Sequence, residues 1–176
     1  MKTLKKTVLL ALFLAIGNLS FAQEKTPSYK DVVTQNPNAE ADIKILSDYT
    51  NALVNNKMDV AANQLSEKYM GYGPAANDSI NKKDGLDSWK KAHLVRTNQK
   101  VSFLSESFTV LQGELKGNWV SQWGTYNFTE GGNDISLPYQ VTARVTAGKI
   151  DTSRIYFDNL AVLVALGYTI TPPAKK

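Results

Sequence analysis

The chain has 176 residues, no cysteine and a single histidine, His93, which excludes structural disulfides, thiol nucleophiles, thiolate or multi-histidine metal sites and a lipid on an N-terminal cysteine. Its formal charge of +4 owes three units to Lys2, Lys5 and Lys6; without them it is +1, too little for the clustered basic footprint of a nucleic-acid partner. The roughly 150 residues that follow are enough for one domain with a real core.

Those three lysines precede an apolar run, Val8 to Ile16, and small residues at Ser20 and Ala22. The run is too short to cross a bilayer, so residues 1–22 read as a secretory signal peptide cleaved after Ala22. The expectation is a periplasmic or secreted protein that begins at Gln23 and keeps no stable membrane anchor. Residues 23–38 are polar, contain Pro27 and Pro37, and read as a flexible leader.

From Ala39 the period is helical: Ile43, Leu46, Tyr49, Thr50 and Leu53 recur on one face, with Asn38 as N-cap and Asn55-Asn56 as the stop. A second helix is expected over Val60 to Lys68, capped by Asp59. Tyr69 to Pro74 is too rich in glycine to continue it and reads as a short strand, with a loop or brief partner strand over Asn77 to Asn81. A third helix spans Lys82 to Arg96 and puts Leu86, Trp89 and His93 on one face. Asp84 and Asp87 suit its N-terminal end.

Everything after that alternates as strands. The segments are Lys100 to Gln112, Asn118 to Thr129, Ile135 to Thr146, and a last one from Lys149, with turns at Gly113 to Gly117, Gly131-Gly132-Asn133 and Ala147-Gly148. Three helices followed by an antiparallel meander make an α+β domain whose sheet must curl over the helices to cover their apolar faces. Residues 39–170 form that domain, and residues 171–176 a disordered tail. The chain has no HExxH, no P-loop and no GxGxxG, so no cofactor and no metal are expected.

Several stretches resemble the SnoaL-like branch of the nuclear transport factor 2-like superfamily, the polyketide-cyclase and ketosteroid-isomerase relatives. They are Asp59-Val60, the aromatic strand Tyr69 to Pro74, the Gly85 to His93 helix with Trp89, and the ending Gly148-Lys149-Ile150, Tyr156-Phe157-Asp158, Leu166-Gly167. Ala165 stands where that branch usually has Gln. The resemblance implies a cone: a strongly curved antiparallel sheet wrapped around three N-terminal helices, with an apolar pocket at the wide end and a homodimer through the sheet's outer face. It also implies that Asp158 points into the pocket as an acid/base group.

The residues themselves leave Asp158 two roles. It is either a general base, its pKa raised by a dry cavity because Arg154 lies roughly 13 Å away along the strand, or the N-cap of the following apolar segment. Parity cannot choose between the two faces of that strand, Ile150, Thr152, Arg154, Tyr156 and Asp158 against Asp151, Ser153, Ile155 and Phe157. His93 is a second acid/base candidate or a helix C-terminal dipole partner. Tyr72 is the third catalytic candidate, as a hydrogen-bond donor to a ligand oxygen. The pocket is expected to be lined by Tyr49, Tyr72, Trp89, His93, Trp123 and Tyr156, and to hold a small, largely apolar molecule. The alternatives are a cofactor-free isomerase or cyclase with Asp158 as base, and a dimerisation or partner-binding module whose cone is filled by side chains.

Overall fold

The computed structural model describes residues 26–172, so the expected signal peptide, the start of the leader and the end of the tail lie outside the described residues. Two compact units divide the chain, Met1–Asp31 and Val32–Lys176. Within the first, the Ser28 amide donates to Asp31 Oδ2 at 3.0 Å, at the start of a one-turn helix, α1 (Tyr29–Val32).

The second unit starts sooner than the sequence suggests. Strand β1 (Val33–Gln35), inside the expected leader, pairs antiparallel with β4 (Arg96–Val110). Asn36 then fastens the segment: its Nδ2 donates to Asp42 Oδ2 and to Ser107 Oγ, both at 2.7 Å, and its Oδ1 accepts from the Asn38 amide at 2.9 Å. A buried carboxylate must be hydrogen-bonded, and Asn36 supplies that bond to the buried Asp42. Asn38 occupies the N-cap position of α2 (Ala39–Val54) without a side-chain cap, so the anchor lies two residues upstream of the expected one.

Helix α2 ends at Asn55 and Asn56, the latter at φ 55°, a left-handed value that asparagine tolerates. Helix α3 (Met58–Gln64) corrects the sequence reading. It begins at Met58, with Asp59 in its first turn rather than as its cap, and it stops four residues short of Lys68. The residues beyond Gln64 form strand β2 (Leu65–Tyr72), which lies parallel to β7 (Lys149–Phe157) and buries Leu65 and Tyr69. That long-range pairing overrides the local helical spacing. Strand β3 (Ser79–Asn81) pairs with β2, and α4 (Lys82–Val95) follows, capped by Asn81, whose side chain accepts from the Asp84 amide at 2.9 Å.

The meander runs β4, β5 (Gly117–Glu130), β6 (Asn133–Thr146) and β7, and the full sheet has the order β1-β4-β5-β6-β7-β2-β3. The sheet is curled and unclosed. Alternation decides its faces: Val120, Gln122, Tyr126 and Phe128 of β5 and Ile135, Val141, Ala143 and Val145 of β6 are buried, while Trp123 between them is exposed.

Strand β7 settles its own parity with a bulge. Val145 pairs with Ile150 but Arg144 with Thr152, so Asp151 is the extra residue. Arg144 Nε at 2.9 Å and Thr146 Oγ1 at 2.8 Å hold its carboxylate. One inserted residue flips the alternation, so Ile150 and Ser153 are both buried. Ser153, Ile155 and Phe157 therefore face the helices, and Arg154 and Tyr156 face away. The chain finishes in α5 (Asn159–Ala165), closed by Gly167 at φ 88° and by the Tyr168 amide donating to the Leu163 carbonyl, an arrangement that glycine favours.

Candidate ligand cavity

Inside the curl, helices α2 and α4 stand off from the sheet and leave a cavity of about 480 Å³. That is within the range that accepts a drug-sized molecule. Its wall is mostly apolar, from Leu53, Trp89, Phe128, Val141, Ile155 and Val162. It reaches the surface at Tyr72 and Asp78, both exposed.

Three hydroxyl-bearing side chains gather at one end of the cavity. The Tyr69 hydroxyl of β2 and Ser153 Oγ of β7 are 2.7 Å apart and buried, and the Tyr49 phenol of α2 interacts electrostatically with Tyr69. The parallel register puts Gly71 beside Ser153, and the absence of a side chain there makes room, because a Cβ at Gly71 would stand 2.7 Å from the Tyr69 hydroxyl. Burial raises the Tyr49 phenol well above its usual pKa, and its electrostatic interaction with Tyr69 adds to the rise. Burial also raises Tyr69, partly offset by its bond to Ser153 and its interaction with Tyr49. Both phenols stay protonated at neutral pH, so this group offers hydroxyl donors that are themselves uncharged.

A second cluster sits further along the wall. Gln122, fully buried, accepts from Tyr139 at 2.8 Å and from Thr50 at 3.0 Å, and its amide donates to Ser105 Oγ at 3.2 Å. Burial pushes the Tyr139 phenol up to about 12. Gly124 accommodates that ring, since a Cβ there would meet it at 2.7 Å and the Ser102 carbonyl at 2.6 Å.

Beyond it, the Arg96 guanidinium lies 4.3 Å from the centre of the Phe128 ring and donates through Nε to Glu130 at 2.8 Å. Tyr126, also on the wall, donates to Gln99 Oε1 at 2.5 Å, and Gln99 Nε2 stands 2.6 Å from His93 Nδ1. The amide can only donate, so Nδ1 accepts, and Nε2 carries the proton bonded to the Leu53 carbonyl at 2.7 Å. Both ring nitrogens of His93 are thereby occupied behind the wall.

Of the six expected lining residues the structure brings Tyr49, Tyr72 and Trp89 to the cavity, and places the other three elsewhere. His93 is occupied as described. Trp123 and Tyr156 are 40% and 50% exposed on the outer face of the sheet, where Leu104, Trp123, Gln140 and Tyr156 follow one another across four strands. The Asp151 bulge sets the parity of β7 beyond it and carries Tyr156 to that outer face. Asp158, expected to point inward as a base, is exposed and caps α5 by accepting from the Ala161 amide at 2.9 Å. Tyr72 is partly exposed at the cavity's edge, with the Arg154 guanidinium 5.1 Å from its ring centre.

Sequence reasoning missed Tyr69, Ser153, Tyr139, Gln122 and Arg96. A tyrosine two residues before a glycine on a strand was a usable signal for the first, because both share a face. Asp78 was also missed; it is the acidic side chain on the cavity wall. Among the described residues no cluster of three histidine, aspartate or glutamate side chains could hold a metal ion.

No family's sequence pattern matches the chain, and no curated protein sequence does. Solved structures do match. IdmH of Streptomyces antibioticus, described as a candidate polyketide cyclase, is 13% identical over 72% of this chain and 98% of its own, with a TM-score of 0.56. A Catenulispora acidiphila protein with a ketosteroid isomerase-like fold, solved with trimethylamine, is 14% identical over 73% and 97%, at 0.55. A nuclear transport factor 2-like protein of Burkholderia xenovorans is 16% identical over 73% and 97%, at 0.54. At such identities the likeness is one of fold: this chain has the nuclear transport factor 2-like cone fold that its sequence resembles.

Proposed function

We propose that this domain binds a small, largely apolar molecule in its cavity and grips one oxygen of that molecule with the hydroxyls of Tyr49, Tyr69 and Ser153. The observation that carries this is the conjunction of apolar walls, a volume of about 480 Å³ and a buried run of protonated hydroxyls at one end. Few, fixed polar groups in an apolar hollow are what orient a ligand while burial supplies the affinity. Linked hydroxyls polarise one another, so the terminal donor is stronger than an isolated one. A carbonyl or hydroxyl oxygen is the natural acceptor.

The filled-cone alternative is disfavoured by the cavity itself, which Trp123 does not enter. The isomerase or cyclase alternative loses Asp158 as its base, since that carboxylate is an exposed cap; a proton-transfer role would fall to Asp78. We propose further that two copies associate through the exposed row Leu104, Trp123 and Tyr156, and Trp123→Glu should then convert a dimer to a monomer in sedimentation velocity.

The test of the main reading is a thermal-shift screen with apolar ketones and alcohols, linear, aromatic and steroidal. A ligand selective for the native state must stabilise it, by about 2.7 kcal/mol at a hundredfold excess over Kd. Stabilisation by at least one ketone or alcohol, reduced in Tyr69→Phe, is expected. No shift with any member of the series would end the reading.

A further inference from the structure

The cavity has a second polar end, and its chemistry differs from the first. Ser153 pairs with Ala143 and through it with Val120, whereas Phe128 lies eight residues further along β5. Eight residues span roughly 26 Å on a straight strand, and less on a curled one. The hydroxyl cluster and the guanidinium over Phe128 therefore mark opposite ends of one elongated hollow.

Three charged side chains line that hollow: Asp78, Lys82 and Arg96. Asp78 is exposed, and the Lys82 ammonium is bonded to the Leu65 carbonyl at 3.2 Å and to Glu67 at 2.7 Å. Arg96 differs. It stacks on the inward ring of Phe128, and its Nε alone engages Glu130. The Tyr126 ring centre lies 5.9 Å from the same guanidinium. A guanidinium has five donors in a fixed fork, and Glu130 engages only one of them.

We propose that the ligand is an elongated apolar carboxylic acid, with its carboxylate on the Arg96 fork and a neutral oxygen at the far end on the Ser153 and Tyr69 hydroxyls. This rests on the cavity reading above. The charge balance favours the smaller anion: Glu130 already offsets the Arg96 charge, and a dianionic phosphate would leave twice the excess negative charge of a carboxylate where little water can solvate it. A planar carboxylate also matches the fork in shape. Glu130 competes with the ligand for the same cation, so the pair sets the specificity of this end.

The experiment compares carboxylic acids with their own methyl esters, in linear, aromatic and steroidal pairs, by calorimetric titration of the full domain at neutral pH. At least one acid should bind about tenfold more tightly than its ester, the scale of one charge-assisted hydrogen bond. Arg96→Gln should bring that ratio near one, and Glu130→Gln should widen it by removing the competing anion. An ion pair that serves only stability predicts weaker folding in both variants and no change in either ratio. Should Arg96→Gln fail to fold, the opposite-signed effect of Glu130→Gln carries the test. Esters that bind as well as acids overturn this inference alone, while a panel in which neither acids nor esters bind overturns the cavity reading with it.

Discussion

Replacing Tyr69 with Phe keeps the ring that packs beside Leu46 and Ile150 and removes only the hydroxyl that bonds to Ser153 and interacts with Tyr49. The hydrogen bond to Ser153 is lost, worth about 1 kcal/mol net, and the buried Ser153 hydroxyl is left without that partner at a similar cost. We therefore expect a destabilisation of about 2 kcal/mol, or a fall in Tm of about 4–8 °C for a domain of this size. Ser153→Ala removes the same bond, so the two changes should be non-additive, with a coupling of about 0.5 kcal/mol or more. Melting curves of the two single variants and the double variant, followed by circular dichroism, measure this. The same variants should lose affinity for a ketone or alcohol ligand. A Tyr69→Phe protein with an unchanged Tm, or additive losses with undiminished ligand-induced stabilisation, would refute the idea that these hydroxyls act as one unit.

Tyr139 gives a pH prediction. Its phenol titrates near 10 unfolded and at about 12 folded, so the unfolded state releases its proton first. The stability this contributes is full below pH 10 and disappears as pH rises to about 12. Unfolding free energy should fall more steeply over that interval in the native protein than in Tyr139→Phe, and parallel curves would contradict the assignment. Asp158 provides a control: Asp158→Ala should cost about 1 kcal/mol as a lost cap, Asp158→Asn only a few tenths, and neither should alter ligand affinity; a binding loss in the Asn variant would return that carboxylate to the site. We also propose that the protein is exported and then begins at Gln23, which N-terminal sequencing of the secreted or periplasmic fraction would verify, and a chain that retains Met1 there would contradict.

The helices and the meander were legible because their signals are local. The Lys82 helix carries its own apolar face and acidic first turn, and glycines at positive φ mark the hairpin turns. What failed was non-local. Leu65 to Lys68 have helical spacing, and only a partner strand 85 residues away makes them a strand. The Asp151 bulge is likewise set by Arg144 and Thr146 on the neighbouring strand, and it decides whether Ser153 or Tyr156 faces inward. The candidate site suffered most because its polar groups come from α2, β2, β4, β5, β6 and β7, and no sequence period links them. Asp158 shows the other failure: both of its readings were open, and the local one, a cap, is the one the structure shows.

A crystal structure of the domain with a bound apolar hydroxy acid or ketone would bear most directly on the central idea. The account predicts electron density inside the cone, with one ligand oxygen at hydrogen-bond distance, roughly 2.5–3.0 Å, from the Ser153, Tyr69 or Tyr49 hydroxyl. A ligand seated on the outer face instead, or a cone that holds only water while the ligand is saturating, would contradict it.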